Sequence, residues 1–133
     1  MLEPVATGVA ALRMTDTQLD ELGRILEDMR SAADDAEKLI QFDTAFHHTV
    51  IASTGNETLT SLLDGLSGRT VRARVWRGSI EGHAAHTTLD EHRAIYLALR
   101  SRDQLLAQAS ALMHVNTSEA WLRTVLAATA ADA

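Results

Sequence analysis

Apolar residues recur at three- and four-residue steps along almost the whole chain, and no run alternates in the way a half-buried strand requires. The spacing predicts a first helix from Glu3 to about Arg13. Thr15-Asp16-Thr17-Gln18 then reads as a capping box, with Thr15 and Gln18 at the reciprocal positions, ahead of a helix carrying Leu19, Leu22, Ile25, Leu26 and Met29. That helix is expected to end near Ser31–Asp34. A third runs from about Asp35 to Ser53 and is closed by Gly55-Asn56, residues that tolerate the left-handed conformation beyond a helix end. A fourth starts near Glu57 and reaches about Arg77, with Gly65 and Gly68 as weak points costing about 1 kcal/mol each relative to Ala. Gly78 to Thr87 reads as a loop. Thr88-Leu89-Asp90-Glu91 reads as a second capping box for a helix to about Arg100, and Ser101 with Gln104 as the start of a last helix to Leu126. The expectation is an all-α protein, a single antiparallel bundle of six or seven helices in one domain over residues 1–133.

Polar residues interrupt this pattern where the stripes should be driest. Leu39, Ile40, Phe46, Val50 and Ile51 define the inward arc of the third helix. Asp43 lies near its middle and His47 one turn on, whereas His48 turns roughly 140° away and should face solvent. In the fifth helix His92 sits at the centre of the face formed by Leu89, Ile95, Tyr96 and Leu99. In the last helix His114 follows Ala107, Ser110 and Ala111, small residues that leave room for an imidazole. An unpaired buried carboxylate costs several kcal/mol, so one Asp and three His converging from three helices call for a compensating group. A divalent transition metal ion is such a group, and this N/O donor set suits Zn²⁺, Ni²⁺ or Mn²⁺ among several first-row ions. The alternative for any one of them is plainer: Asp43 paired with His47 along one helix, and His92 and His114 as hydrogen-bonded core histidines.

Composition narrows the classes. The 133 residues include 12 Lys+Arg and 18 Asp+Glu, and a formal charge of −6 argues against a general polyanion binder. There is no cysteine, which excludes disulfides, thiolate metal sites and thiol chemistry. No apolar run approaches the roughly 20 residues of a membrane span, and Met1-Leu2-Glu3-Pro4 does not look like a signal peptide; a cytoplasmic location without membrane contact is expected. Charge is uneven, however. Arg69, Arg72, Arg74 and Arg77 fall within nine residues that contain no acid, enough to hold a small anion.

In order along the chain, Phe42-Asp43-Thr44-Ala45-Phe46-His47, Gly55-Asn56 with Leu59, Glu91-His92-Arg93-Ala94-Ile95, Asp103 and Leu112-Met113-His114 resemble signatures of one family. This is the C-terminal effector-binding (FCD) domain of the FadR-type branch of the GntR transcription regulators. Met113 directly before His114 departs from the family's spacing. The resemblance implies that Asp43, His47, His92 and His114 bind one divalent metal ion whose open positions take a small organic or sugar acid. It also implies a homodimer, and control of DNA binding through a winged helix-turn-helix domain that this chain does not contain.

On helical projection Arg69 and Arg77 lie within about 60° of Leu66, while Arg72 and Arg74 diverge further. Arg69 and Arg77 are therefore the expected contacts to an effector carboxylate, the alternative being surface arginines paired with the acidic first half. His83 and His86, in the expected loop, are read as solvent-exposed or lid residues rather than ligands. A stand-alone metal-dependent enzyme acting on a small organic acid is the competing function. It lacks a buried general base other than Asp43, and the chain has no phosphate loop, His-Glu-x-x-His segment or nucleophile elbow, so no enzyme activity is expected.

Overall fold

Side-chain caps set most of the helix starts in the computed structural model, which describes residues 2–132. Leu2–Arg13 form α1 and Asp16–Ser31 form α2. Thr15 Oγ1 accepts the Gln18 N–H at 3.1 Å and Gln18 Oε1 accepts the Thr15 N–H at 2.9 Å, the expected capping box. Asp35 caps α3 (Ala36–Ala52) and Asn56 caps α4 (Glu57–Ile80), each accepting a backbone N–H three residues on. Gly55, at φ +76°, makes the reversal between them that a side chain would oppose. Helices α5 (Ala84–Arg100) and α6 (Gln104–Ala131) complete the chain, which has six helices and no strand among the described residues.

Several boundaries differ from expectation, and α6 continues past the expected Leu126 to Ala131. The segment Gly78 to Thr87 is mostly helical, leaving only Glu81–His83 between α4 and α5. Gly78 serves close packing there: a Cβ on it would stand 3.3 Å from Ala85 Cβ, so the glycine lets α5 leave α4 at short range. Thr88–Glu91 accordingly lies inside α5, where the Thr88 carbonyl holds a side chain of the same helix. Likewise α6 starts at Gln104 and is capped by Asp103, which accepts the Leu106 N–H at 2.9 Å; the Ser101 hydroxyl instead donates back to the Leu97 carbonyl.

Helix α1 packs on α6, α6 on α5, α5 on α2, α2 on α3 and α3 on α4, while α4 closes against α5 and α6. Small residues (Ala10, Ala11, Ala107 and Ala111) bring α1 and α6 together, and Leu22, Phe46, Ala98 and Leu99 fill the centre with no solvent exposure. Burying each of the larger side chains contributes about 1.5–3 kcal/mol. No described helix is long and apolar enough to cross a membrane.

Candidate metal centre

The inward stripe of α3 delivers Asp43, Phe46, His47 and Val50 at the i, i+3, i+4, i+7 steps of one helix face. Against it come His92 from α5 and His114 from α6, both fully buried; His48 is exposed and bonds Asp64, as its position on the helix predicts. The three imidazoles pack tightly. His47 and His114 stack with centroids 5.3 Å apart, and His92 meets His114 edge-on at 4.4 Å.

Each ring is held from behind through Nδ1. His47 Nδ1 lies 2.7 Å from Glu3 Oε1, His92 Nδ1 donates to the Thr88 carbonyl at 2.7 Å, and His114 Nδ1 lies 3.2 Å from Glu91 Oε1. Acceptors in these positions place the N–H on Nδ1 and aim Nε2 inward, the arrangement found behind metal-ligating histidines. One ligand atom from each ring lies within 4.8 Å of the others, and the Nε2 atoms of His47 and His92 are 3.2 Å apart. His114 Nε2 is buried with no hydrogen-bond partner. Nitrogens bound to one ion at about 2.0–2.1 Å lie roughly 3 Å apart, a separation the His47–His92 pair already has, and an ion held there would account for the orphaned Nε2 of His114.

Asp43 Oδ1 is 3.1 Å from Nε2 of both His47 and His92. Its principal partner is Arg74, on the buried side of α4: Nη2 donates to Oδ1 at 2.7 Å and Nε to Oδ2 at 3.1 Å, while Nη1 donates to Ser118 Oγ at 3.3 Å. Arg74 is 6% exposed. Sequence projection missed it because it took Leu66 as an inward marker, and Leu66 is 62% exposed. The buried positions of α4 are Leu63, Val71 and Arg74; Leu63 and Arg74, eleven residues apart, lie about 20° from each other around the helix. Arg69 is exposed and Arg77 pairs with Glu81 at 3.2 Å, so neither joins the cluster. His83 and His86 are exposed, as expected.

Electrostatics divide the rings. Burial favours the neutral form of His47, but Glu3 and Asp43 outweigh it and raise its pKa to about 9. Burial pushes the His92 and His114 pKa values down, His114 well below its ordinary value, which favours the neutral imidazole in both. Burial also acts to raise the Asp43 carboxyl, yet Arg74 and the imidazoles hold it well below the carboxylate range. A cavity of about 300 Å³, not lined by the histidines, reaches Asp43 and Arg74 at its buried end and has the exposed Asp34 and Ser79 at its rim.

Residues 1–117 match the FCD domain family. The chain is 30% identical over 127 residues to the galactonate operon transcriptional repressor of Escherichia coli, covering 94% of this chain and 55% of that protein. It is 30% identical over 120 residues to the transcriptional repressor NanR of Klebsiella aerogenes, covering 87% and 45%. It thus spans about half the length of these relatives. Among solved structures, Streptococcus agalactiae GntR superposes with a TM-score of 0.70 at 28% identity, covering 87% of this chain and 51% of that one. E. coli McbR/YncC, at 18% identity, shares the fold with a TM-score of 0.80 over 94% and 60%. The chain belongs to the FCD domain family of GntR-type transcription regulators.

Proposed function

We propose that this domain is a metal-dependent sensor of a small organic or sugar acid. His47, His92 and His114 would hold one divalent ion through Nε2, with Asp43 supplying an oxygen. The observation that carries the reading is the orphaned Nε2 of His114 beside two further inward Nε2 atoms, each ring fixed through its other nitrogen. Bound there, the ion supplies positive charge and open coordination positions for an oxygen ligand. Arg74 supports the second half of the proposal. Its guanidinium is already desolvated and presents paired donors to carboxylate oxygens at the end of the cavity, so it takes the role the sequence offered to Arg69 and Arg77. An effector carboxylate would compete with Asp43 for those donors and so loosen α3 from α4. The two 30%-identical relatives are repressors, one of them of a galactonate operon, which favours polyhydroxy acids as the first probes. Control of DNA binding, in this reading, belongs to the longer protein of which such domains are part.

The protein is not read as an enzyme. Its relatives are regulators, and the other two carboxylates at the cluster, Glu3 and Glu91, are each engaged with a histidine. A homodimer is proposed as well, because Leu12 of α1 and Leu105 and Met113 of α6 are 60%, 80% and 70% exposed. Sedimentation at rising concentration tests it: a monomer throughout contradicts it.

The test of the sensor is a calorimetric titration of chelator-stripped and Zn²⁺-loaded protein with galactonate, gluconate and lactate. Binding by the loaded form only, lost in Arg74→Ala, supports the proposal. Equal binding by both forms, or none by either, contradicts it.

A further inference from the structure

Three acceptors hold the three rings, and they differ in what they connect. The Thr88 carbonyl belongs to the same helix as His92, so that contact joins nothing new. Glu91 joins α5 to α6, helices already packed along much of their length. Glu3 is different. It stands in the first turn of α1 and reaches His47 on α3, bringing the beginning of the chain to the back of the cluster, away from the cavity that reaches Asp43 and Arg74.

The helix dipole favours an acid in this first turn, and here the Glu3 carboxylate is turned onto the His47 ring. Its side chain is 21% exposed and faces a small gap bordered by Ile51, Leu63 and Ser67, and its one side-chain partner among the described residues is His47. The charged groups facing the pair are Arg74 and Asp43 beyond the ring, with Asp64 at the edge of the gap. The first turn keeps a further bond, from Thr7 Oγ1 to the Glu3 backbone carbonyl.

We propose that Glu3 is a positioning residue for the metal ligand His47, and that the Glu3–His47 contact ties the first turn of α1 to occupancy of the metal centre. The inference rests on the metal reading above. A carboxylate on Nδ1 fixes the tautomer and ring orientation of a ligating histidine and makes Nε2 a stronger donor. Coupling is reciprocal: whatever Glu3 contributes to holding the ion, the ion returns in holding Glu3. Site occupancy is then felt at the start of α1 without a change in the rest of the bundle.

The experiment is Zn²⁺ competition against a chromophoric chelator, with hydrogen exchange of α1, on the full chain and on Glu3→Gln and Glu91→Gln. Both variants are expected to bind Zn²⁺ about 10- to 100-fold more weakly. Only Glu3→Gln is expected to abolish the Zn²⁺-induced slowing of exchange at the amides of residues 6–9, whose helical bonds run back to the first turn. Tight Zn²⁺ binding by Glu3→Gln, or slowing in α1 that survives the substitution, overturns the inference while leaving the metal centre standing. Failure of the unmodified chain to bind Zn²⁺ overturns both. If Glu3→Gln does not fold, the unmodified chain decides: exchange at residues 6–9 that is indifferent to bound Zn²⁺ refutes the coupling.

Discussion

The interior around Leu22, Phe46, Ala98 and Leu99 and the interior around Asp43, His92 and His114 are both closed to water: these seven residues are no more than 1% exposed, and His47 and Arg74 beside the second are 7% and 6%. Chemically they are opposites. The first removes only apolar surface from water, which stabilises the fold directly. The second removes a carboxylate, a guanidinium and three imidazoles, whose desolvation must be offset by close pairing. Phe46 forms the seam, lying in the apolar cluster with its ring edge-on to His92 at 4.8 Å. The contrast shows that burial alone does not mark a core. The apolar side is maintained for stability, and the ionisable side is maintained against it.

That contrast can be broken in several ways. Arg74→Ala should be the most damaging change on the polar side, about 3–5 kcal/mol in urea unfolding, because it strands Asp43 in the interior. Replacing the pair, Asp43→Leu with Arg74→Met, should recover most of that loss while abolishing metal-dependent acid binding. Leu22→Ala, on the apolar side, should cost about 2–5 kcal/mol yet leave Zn²⁺ affinity per folded molecule unchanged. His114→Ala leaves a cavity and an unpartnered Glu91 in the metal-free protein, and beyond that cost should remove the thermal stabilisation by Zn²⁺, about 2.7 kcal/mol at a hundredfold excess over Kd.

The pH response should separate the rings. His47 has a folded pKa near 9 against an ordinary 6.5, so its contribution to metal-free stability is full below pH 6.5 and fades as the pH rises to about 9. His92 and His114 are depressed, so their effect runs the other way, with stability falling as the pH drops below 6.5 because the unfolded chain takes up the protons. Urea midpoints for the chain and for His47→Gln, measured from pH 5 to 9.5, should differ by a gap that narrows toward alkaline pH. Smallest of all, Arg69→Ala should change stability by less than about 0.5 kcal/mol and leave acid binding intact, in contrast to Arg74→Ala.

The parts of this arrangement that the sequence revealed are those that violate solvation. A carboxylate and three imidazoles on apolar stripes stand out because water is their natural place, so Asp43, His47, His92 and His114 were legible from helical spacing alone. Arg74 was not. Leu59, Leu62, Leu63 and Leu66 share one arc of about 100° on α4, and only packing against α3 selects which edge of that arc turns inward; Leu62 ends 49% exposed and Leu63 8%. Glu3 was hidden for another reason. An acidic residue in a first turn is what the helix dipole favours anywhere, so nothing in the sequence distinguished it from a surface residue. Gly78 was misread because a glycine that permits helix packing has the same signature as one that ends a helix.

X-ray absorption at the zinc edge, on Zn²⁺-loaded protein and on His114→Ala, tests the central claim most directly. Three imidazole nitrogens in the first coordination sphere, with oxygen completing it, and the loss of one nitrogen in the variant are the predicted result. A sphere of oxygens alone, or a spectrum identical in the two proteins, would contradict a metal held by His47, His92 and His114.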